Sequence, residues 1–205
     1  MQYQINQCGI LILAAGQSSR LGRPKQLLMY QGRSLVERVA ETAIASGCNP
    51  IMVVLGSSAE ETSSHLNKLG IHVLVNEQWQ EGMASSIREG VKAMIGLDDH
   101  IDGILILVCD QPHMEVNHIK ALLQLQLQKD LPAAACRYAG ILGTPALFHK
   151  SLFKKLDDLK GDVGAKKILS SLSEEIAVVE FEQGIFDIDT ESDYERLLHE
   201  KKIVL

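Results

Sequence analysis

The chain has 205 residues, 46% of them hydrophobic and 22% charged, with a net charge of −6. That length and composition suit one globular domain with a sizeable core, and we read 1–205 as a single unit. The acidic balance argues against nucleic acid as a partner, which requires a basic face, and no run approaches the ~20 apolar residues of a membrane span.

Residues 9–13 (GILIL) read as a strand buried on both faces. Ser34 and Glu37 form a capping box that opens a helix, with Leu35, Val36, Val39 and Ala43 on one face and Gly47 closing it. A strand follows at 51–55 (IMVVL). Ser58 and Glu61 are expected to cap a second helix reaching about residue 69. Strand 71–75, helix 84–95, strand 104–108 (ILILV) and helix 116–128 continue the alternation. Beyond residue 130 the pattern weakens: strands are expected at 133–137, 144–148 and 176–181, and short helices at 150–157 and 164–172. A last helix starts at Ser192, with Glu195 completing its box. Nearly continuous apolar strands separated by helices imply a mostly parallel sheet covered on both faces, a three-layer α/β/α Rossmann-like fold.

Cys8, Cys48, Cys109 and Cys136 show no metal-ligand spacing. They read as free thiols, which suits a reducing compartment. The apolar run at 8–15 has no Lys or Arg before it, unlike a secretory signal. The expected location is the cytoplasm.

In such a sheet, ligands sit beyond the carboxyl ends of the strands. The first such loop, AAGQSSRLGRPK (14–25), fits neither the Walker A nor the dinucleotide pattern. It nevertheless carries the parts that grip phosphate. Gly16 and Gly22 allow close approach and unusual dihedrals, Ser18 and Ser19 offer hydroxyls, and Arg20 and Lys25 offer charge. The alternative is a solvated basic loop. Asp110 ends the fourth strand, either as a Mg²⁺ ligand or as the cap of an Asx turn. Asp189 and Asp187 share a face if their segment is extended, or they simply precede a helix. Ser85 and Ser86 either meet a ligand or cap a helix. Trp79 either stacks on a ligand or fills the core. Asp162, between glycines, faces a ligand or shapes a turn. His113 and His118 are poorly spaced for a shared metal.

LAAGQSSRLGRPK (13–25) resembles the L-A-A-G-x-S-x-R-x-G-x-x-K signature of the nucleotidyltransferases that activate phosphorylated acceptors with an NTP. The segment NEQWQEGMASSIREG (76–90), the turn Asp110-Gln111-Pro112, Gly143-Thr144-Pro145, GDVGA (161–165) and DIDT (187–190) resemble segments of the molybdenum cofactor cytidylyltransferase branch. The resemblance covers nearly the whole chain. It implies Mg²⁺-dependent transfer of CMP from CTP to a molybdopterin-type acceptor, with release of pyrophosphate. A guanylyl- or uridylyltransferase and a non-catalytic nucleotide- or cofactor-binding accessory protein are the alternatives, and a molybdenum hydroxylase is a possible client.

The resemblance further implies that Arg20, Lys25 and Asp110 are catalytic and that Asp110 and Asp189 hold metal. Leu13, Ala14, Ala15, Gly16, Ser18, Gly82, Ser85 and Ser86 join Arg20, Lys25 and Asp110 around the nucleotide. A phosphate monoester has a second pKa near ~6 and is already a nucleophile at neutral pH. No activated Ser, Cys or His is then needed; alignment and charge neutralisation suffice.

Overall fold

A computed structural model describes residues 2–172 and 175–200. Seven strands form one sheet: β1 (Cys8–Ala14), β2 (Ile51–Leu55), β3 (His72–Val75), β4 (Gly103–Val108), β5 (Ala133–Tyr138), β6 (Ile141–His149) and β7 (Ile176–Glu180). Their order is β3-β2-β1-β4-β6-β5-β7. All pairings are parallel except those of β6, which runs against both β4 and β5.

β1 is central and apolar throughout, because successive side chains face opposite covering layers. Leu11 and Leu13 enter one core with α3 (Met83–Leu97), α5 (Phe153–Asp157) and α6 (Lys166–Ser171). Ile10 and Ile12 enter the other with α1 (Leu35–Ser46), α2 (Ala59–Leu66) and α4 (Val116–Lys129). The expected three-layer arrangement is thus the observed one. A third, smaller cluster joins Leu21, Leu28, Tyr30 and Leu35 to Ile188 and to Leu197 of α7 (Glu191–Glu200). It fixes residues 186–197 against the first loop. Among the described residues no helix is long and apolar enough to cross a membrane.

The predicted box at α1 is present: Ser34 Oγ accepts from Glu37 N–H, Glu37 Oε2 accepts from Ser34 N–H, and Gly47 closes the helix at φ +82°. Two other caps differ from expectation. Ser58 makes no side-chain cap bond, and α2 ends at Leu66. α7 is opened by Thr190 and Asp193, not by Ser192 and Glu195. Asp193 Oδ2 accepts from Thr190 N–H at 2.8 Å, and Thr190 Oγ1 accepts from Asp193 N–H at 3.2 Å. The hydroxyl–acid spacing of three is the same, so the competing registers were indistinguishable by pattern. β6 starts earlier than expected, because a tight turn through Ala139 and Gly140, both at positive φ, pairs it at once with β5.

Candidate active site

The loop after β1 is shaped by its own hydrogen bonds. Ser18 adopts φ +54°, and its carbonyl accepts from the N–H groups of Leu21 and Gly22. Its hydroxyl accepts from Lys25 N–H at 3.1 Å. Gly22 takes the left-handed conformation as expected, at φ +70°, but Gly16 does not; Ser18 carries the second unusual dihedral. The buried Gln26 then reaches back under the loop, where its Nε2 donates to the carbonyls of Ala14 (2.8 Å) and Gly16 (2.9 Å). This amide sets the course of the Ala14–Gly16 backbone, and the pattern of the loop did not reveal it.

Lys25 ends up at the carboxyl end of β4. Its Nζ donates to Asp110 Oδ2 at 2.6 Å and to Asp189 Oδ1 at 3.0 Å. The other Asp189 oxygen accepts from Arg20 at 2.5 Å. Residues 186–189 are held there by Ile188, which is fully buried and whose N–H donates to the Asp110 carbonyl at 3.1 Å. Burial alone would lower the Lys25 pKa, but the adjacent Asp110 and Asp189 carboxylates outweigh it and hold the ammonium well above its ordinary value. Burial would likewise raise Asp189, yet the bonds from Lys25 and Arg20 bring it below the usual carboxylate range. Asp187 goes the other way: burial, with Asp110 and Asp189 nearby, raises it. The three acids therefore differ. Two share the lysine, and the third adds negative charge without an ion-pair partner among the described residues.

Beside this cluster lies a cleft of ≈ 370 Å³. One wall is the backbone of Leu13, Ala14, Ala15 and Gly16; the floor includes Lys25 and Asp110; the far wall carries Trp79, Gly82, Ser86 and Asp162. Arg20, Ser18 and Asp189 stand outside the cleft proper, with Arg20 69% exposed. Ser85 is not brought to the cleft. It is fully buried, accepting from Asn76 Nδ2 (2.8 Å) and sharing its one proton between the Gln78 and Gly82 carbonyls. Asn76 also donates to Ser86 Oγ at 3.0 Å. Asn76 thus organises the start of α3, and both serines serve that framework. Trp79 is half-buried at the cleft wall rather than in the core.

The GDVGA segment docks on the start of α3. Gly161 N–H donates to Glu81 Oε1 at 3.2 Å, and its carbonyl accepts from Ala84 N–H at 3.2 Å. Arg88 makes two bonds to Glu81, of 2.8 and 2.6 Å, and one to the Leu159 carbonyl at 2.7 Å. The Arg88 bond and the Gly161 amide pull Glu81 down to about 2. This clamp places Asp162 on the cleft rim. Gln111 links two other segments, donating to the Gly184 carbonyl and accepting from Thr144 Oγ1. The histidines stay apart: His113 meets Glu200, and His118 stacks against Phe181.

Phosphate recognition needs cations and open backbone N–H groups, and divalent metal binding needs carboxylate oxygens; groups of both kinds meet here, Arg20 and Lys25 with Asp110 and Asp189. The point held by Lys25 Nζ is reached by two carboxylates from separate segments, Asp110 and Asp189. That donor set fits a hard cation.

The sequence matches the MobA-like NTP transferase domain over residues 10–176, ending before Asp189. Nicotine blue oxidoreductase of Paenarthrobacter nicotinovorans is 40% identical over 114 residues, which span 55% of this chain and 54% of that relative. Purine catabolism protein PucB of Bacillus subtilis is 28% identical over 203 residues, covering 90% of this chain and 93% of its own. The crystal structure of Rv0371c from Mycobacterium tuberculosis superposes with a TM-score of 0.83 at 28% identity, covering 95% of this chain and 99% of that one. A second structure of that protein, with a TM-score of 0.79, is a complex with manganese.

Proposed function

Because this chain belongs to the MobA-like NTP transferase family, we propose that it transfers CMP from CTP to the terminal phosphate of a molybdopterin-type acceptor. The observation that carries the chemistry is the Lys25 ammonium, held between Asp110 and Asp189 beside a cleft walled by the Ala14–Gly16 backbone.

In this reading the triphosphate lies along the first loop, where Lys25 and Arg20 neutralise its oxygens. Charge that develops on the leaving pyrophosphate meets the same groups. The base rests against Ala14 and Ala15, whose small side chains leave backbone groups accessible, with Leu13, Gly16, Gly82 and Ser86 completing the surround. Ser18 acts through Lys25, by fixing the turn from which that side chain rises. Ser85 acts through the Asn76 network. The acceptor approaches from the rim that carries Asp162; Gly143, Thr144 and Pro145 lie in β6, where Thr144 meets Gln111, the neighbour of Asp110. Its phosphate is the nucleophile, and the cleft aligns it opposite the pyrophosphate.

Asp110 and Asp189 would hold Mg²⁺, with Asp187 as a neighbouring oxygen donor. When bound, the ion supplies positive charge and geometric order to the phosphate oxygens. The manganese complex of the Mycobacterium relative supports a divalent cation. The molybdopterin-type acceptor and CTP rest on the motif combination in residues 76–90, 110–112, 143–145, 161–165 and 187–190.

The test is pyrophosphate release with Mg²⁺, molybdopterin cofactor and CTP, GTP, ATP or UTP in turn, with Asp110→Ala as control. Release with CTP alone, lost in the control, is the expected result. Release with GTP or UTP instead would keep the chemistry and reject the cytidylyl branch. Nucleotide binding without release would point to an accessory binding protein.

A further inference from the structure

A second cavity of ≈ 720 Å³ opens at the opposite end of the sheet, between the end of α1, the start of β1 and α4. Two of the four cysteines border it. Cys8 opens β1, and Cys48 directly follows Gly47, which terminates α1. β1 and β2 are parallel neighbours with Ile10 opposite Ile51, and Ile10 N–H donates to the Pro50 carbonyl at 2.9 Å. Cys8 opens β1 and Cys48 lies three residues before β2 begins, so the two cysteines stand at the same, amino-terminal end of neighbouring strands, on the wall of one cavity. Cys48 packs against the same core cluster as Cys8. Both are reduced in this structure.

The two sulfurs are not equivalent. Both border the cavity, Cys48 half-buried and Cys8 buried. A hydrogen bond from Cys8, helped by Ser46 and opposed by burial, brings Cys48 down to about 6. The same contact, together with burial, raises Cys8 well above its ordinary value. Cys109 and Cys136 are buried elsewhere and pushed up to about 12, chiefly by burial. A low-pKa thiol reachable from a cavity and accompanied by a second thiol is the arrangement that thiol–disulfide exchange requires.

We propose that Cys8 and Cys48 form a reversible dithiol–disulfide couple, with Cys48 as the attacking and Cys8 as the resolving sulfur, oxidised by a low-molecular-weight disulfide. The Cys48 thiolate attacks one sulfur of that disulfide, forming a mixed disulfide and expelling one thiolate. Capping Cys48 removes the largest influence that holds the proton on Cys8. Cys8 then loses its proton to solvent and displaces the second thiolate. The protein loses two electrons and two protons, and the small disulfide becomes two thiols. The site is separate from the nucleotide cleft: it lies at the amino end of β1, and the cleft lies at the carboxyl end.

The experiment is incubation of the full chain with oxidised glutathione, followed by alkylation, intact mass measurement and peptide mapping. The expected product has lost the mass of two hydrogen atoms and carries a Cys8–Cys48 linkage. Cys109 and Cys136 stay reduced, and dithiothreitol restores the starting mass. Cys48→Ser should leave Cys8 unmodified, whereas Cys8→Ser should stop at a stable glutathione adduct on Cys48. A wild-type protein that stops at that adduct, or keeps both thiols open to alkylation, would overturn the proposal.

Discussion

Gly82 and Asp162 are packed so closely that a Cβ on Gly82 would lie 2.6 Å from Asp162 Cα and 2.7 Å from its backbone nitrogen. Gly82 also has φ +115° and ψ −173°, a region that other residues adopt only under strain. The far wall of the cleft therefore exists only while position 82 has no side chain. Gly82→Ala should cost roughly 2–3 kcal/mol and lower the melting temperature by about 4–12 °C for a chain of this size. It should weaken nucleotide binding as the GDVGA segment is displaced. Calorimetry and a nucleotide titration check both; unchanged values would mean that the segment undocks freely.

Lys25 bridges two acids that would otherwise repel each other. Lys25→Met should reduce pyrophosphate release by at least about 100-fold, the usual loss when a group that stabilises transition-state charge is removed. The same variant should bind Mn²⁺ more tightly than wild type in the absence of nucleotide, since an internal competitor for the carboxylates is gone. Manganese titration followed by paramagnetic resonance separates the two effects. Weaker manganese binding in the variant would show that the ammonium does not compete with metal.

The two candidate metal acids in residues 187–189 should respond to pH with opposite signs. Asp189 has its folded pKa lowered, so its stabilisation is present above the ordinary carboxylate value and is lost as pH falls through the lower folded value. Asp187 has its folded pKa raised, so it destabilises the metal-free protein at neutral pH. That penalty is relieved as pH falls through the raised value towards the ordinary one. Asp187→Asn should give a small gain in stability near pH 7, and Asp189→Asn a loss. Urea unfolding from neutral pH to about pH 3 tests this; two variants shifting in the same direction would contradict the assignment.

Gln26 acts on the nucleotide loop without entering the phosphate chemistry. Gln26→Leu removes the donor for the Ala14 and Gly16 carbonyls, which should cost about 1–3 kcal/mol of stability. The KM for nucleotide should rise by about tenfold, the equivalent of 1.4 kcal/mol, with a smaller change in kcat. Gln26→Glu should not rescue, because a carboxylate cannot donate to two carbonyls. Steady-state kinetics on both variants tests the split.

The alternation of GILIL, IMVVL and ILILV with capped helices revealed the sheet, because a strand buried on both faces leaves an uninterrupted apolar run. Asp110 was legible for a related reason, since it closes such a run and has little structural reason to be there, and Lys25 was legible as part of the charged glycine-bearing loop that follows β1. Ser85 and Ser86 were ambiguous, since only the fold shows Asn76 occupying their hydroxyls. The role of Gln26 was not legible, because its partners are backbone carbonyls and no local spacing encodes such contacts; Arg88 belongs to the recognisable segment 76–90, but its bond to the Leu159 carbonyl, 71 positions away, is visible only in the fold. The difference between Asp187 and Asp189 was equally out of reach. It depends on which carboxylate meets Lys25, a contact 164 positions away in sequence.

That separation has a consequence for biosynthesis. Lys25 meets Asp110 across 85 residues and Asp189 across 164. During translation, which runs at about 5–20 residues per second with amino-terminal parts folding first, the nascent chain can order β1 and its loop well before Asp189 leaves the ribosome. Until then the lysine has only one of its two acids, and Ile188 has not yet stitched the last segment to the Asp110 carbonyl. The complete charge cluster therefore forms only on a chain translated through residue 189, so a prematurely terminated product would retain much of the sheet but lack an intact site.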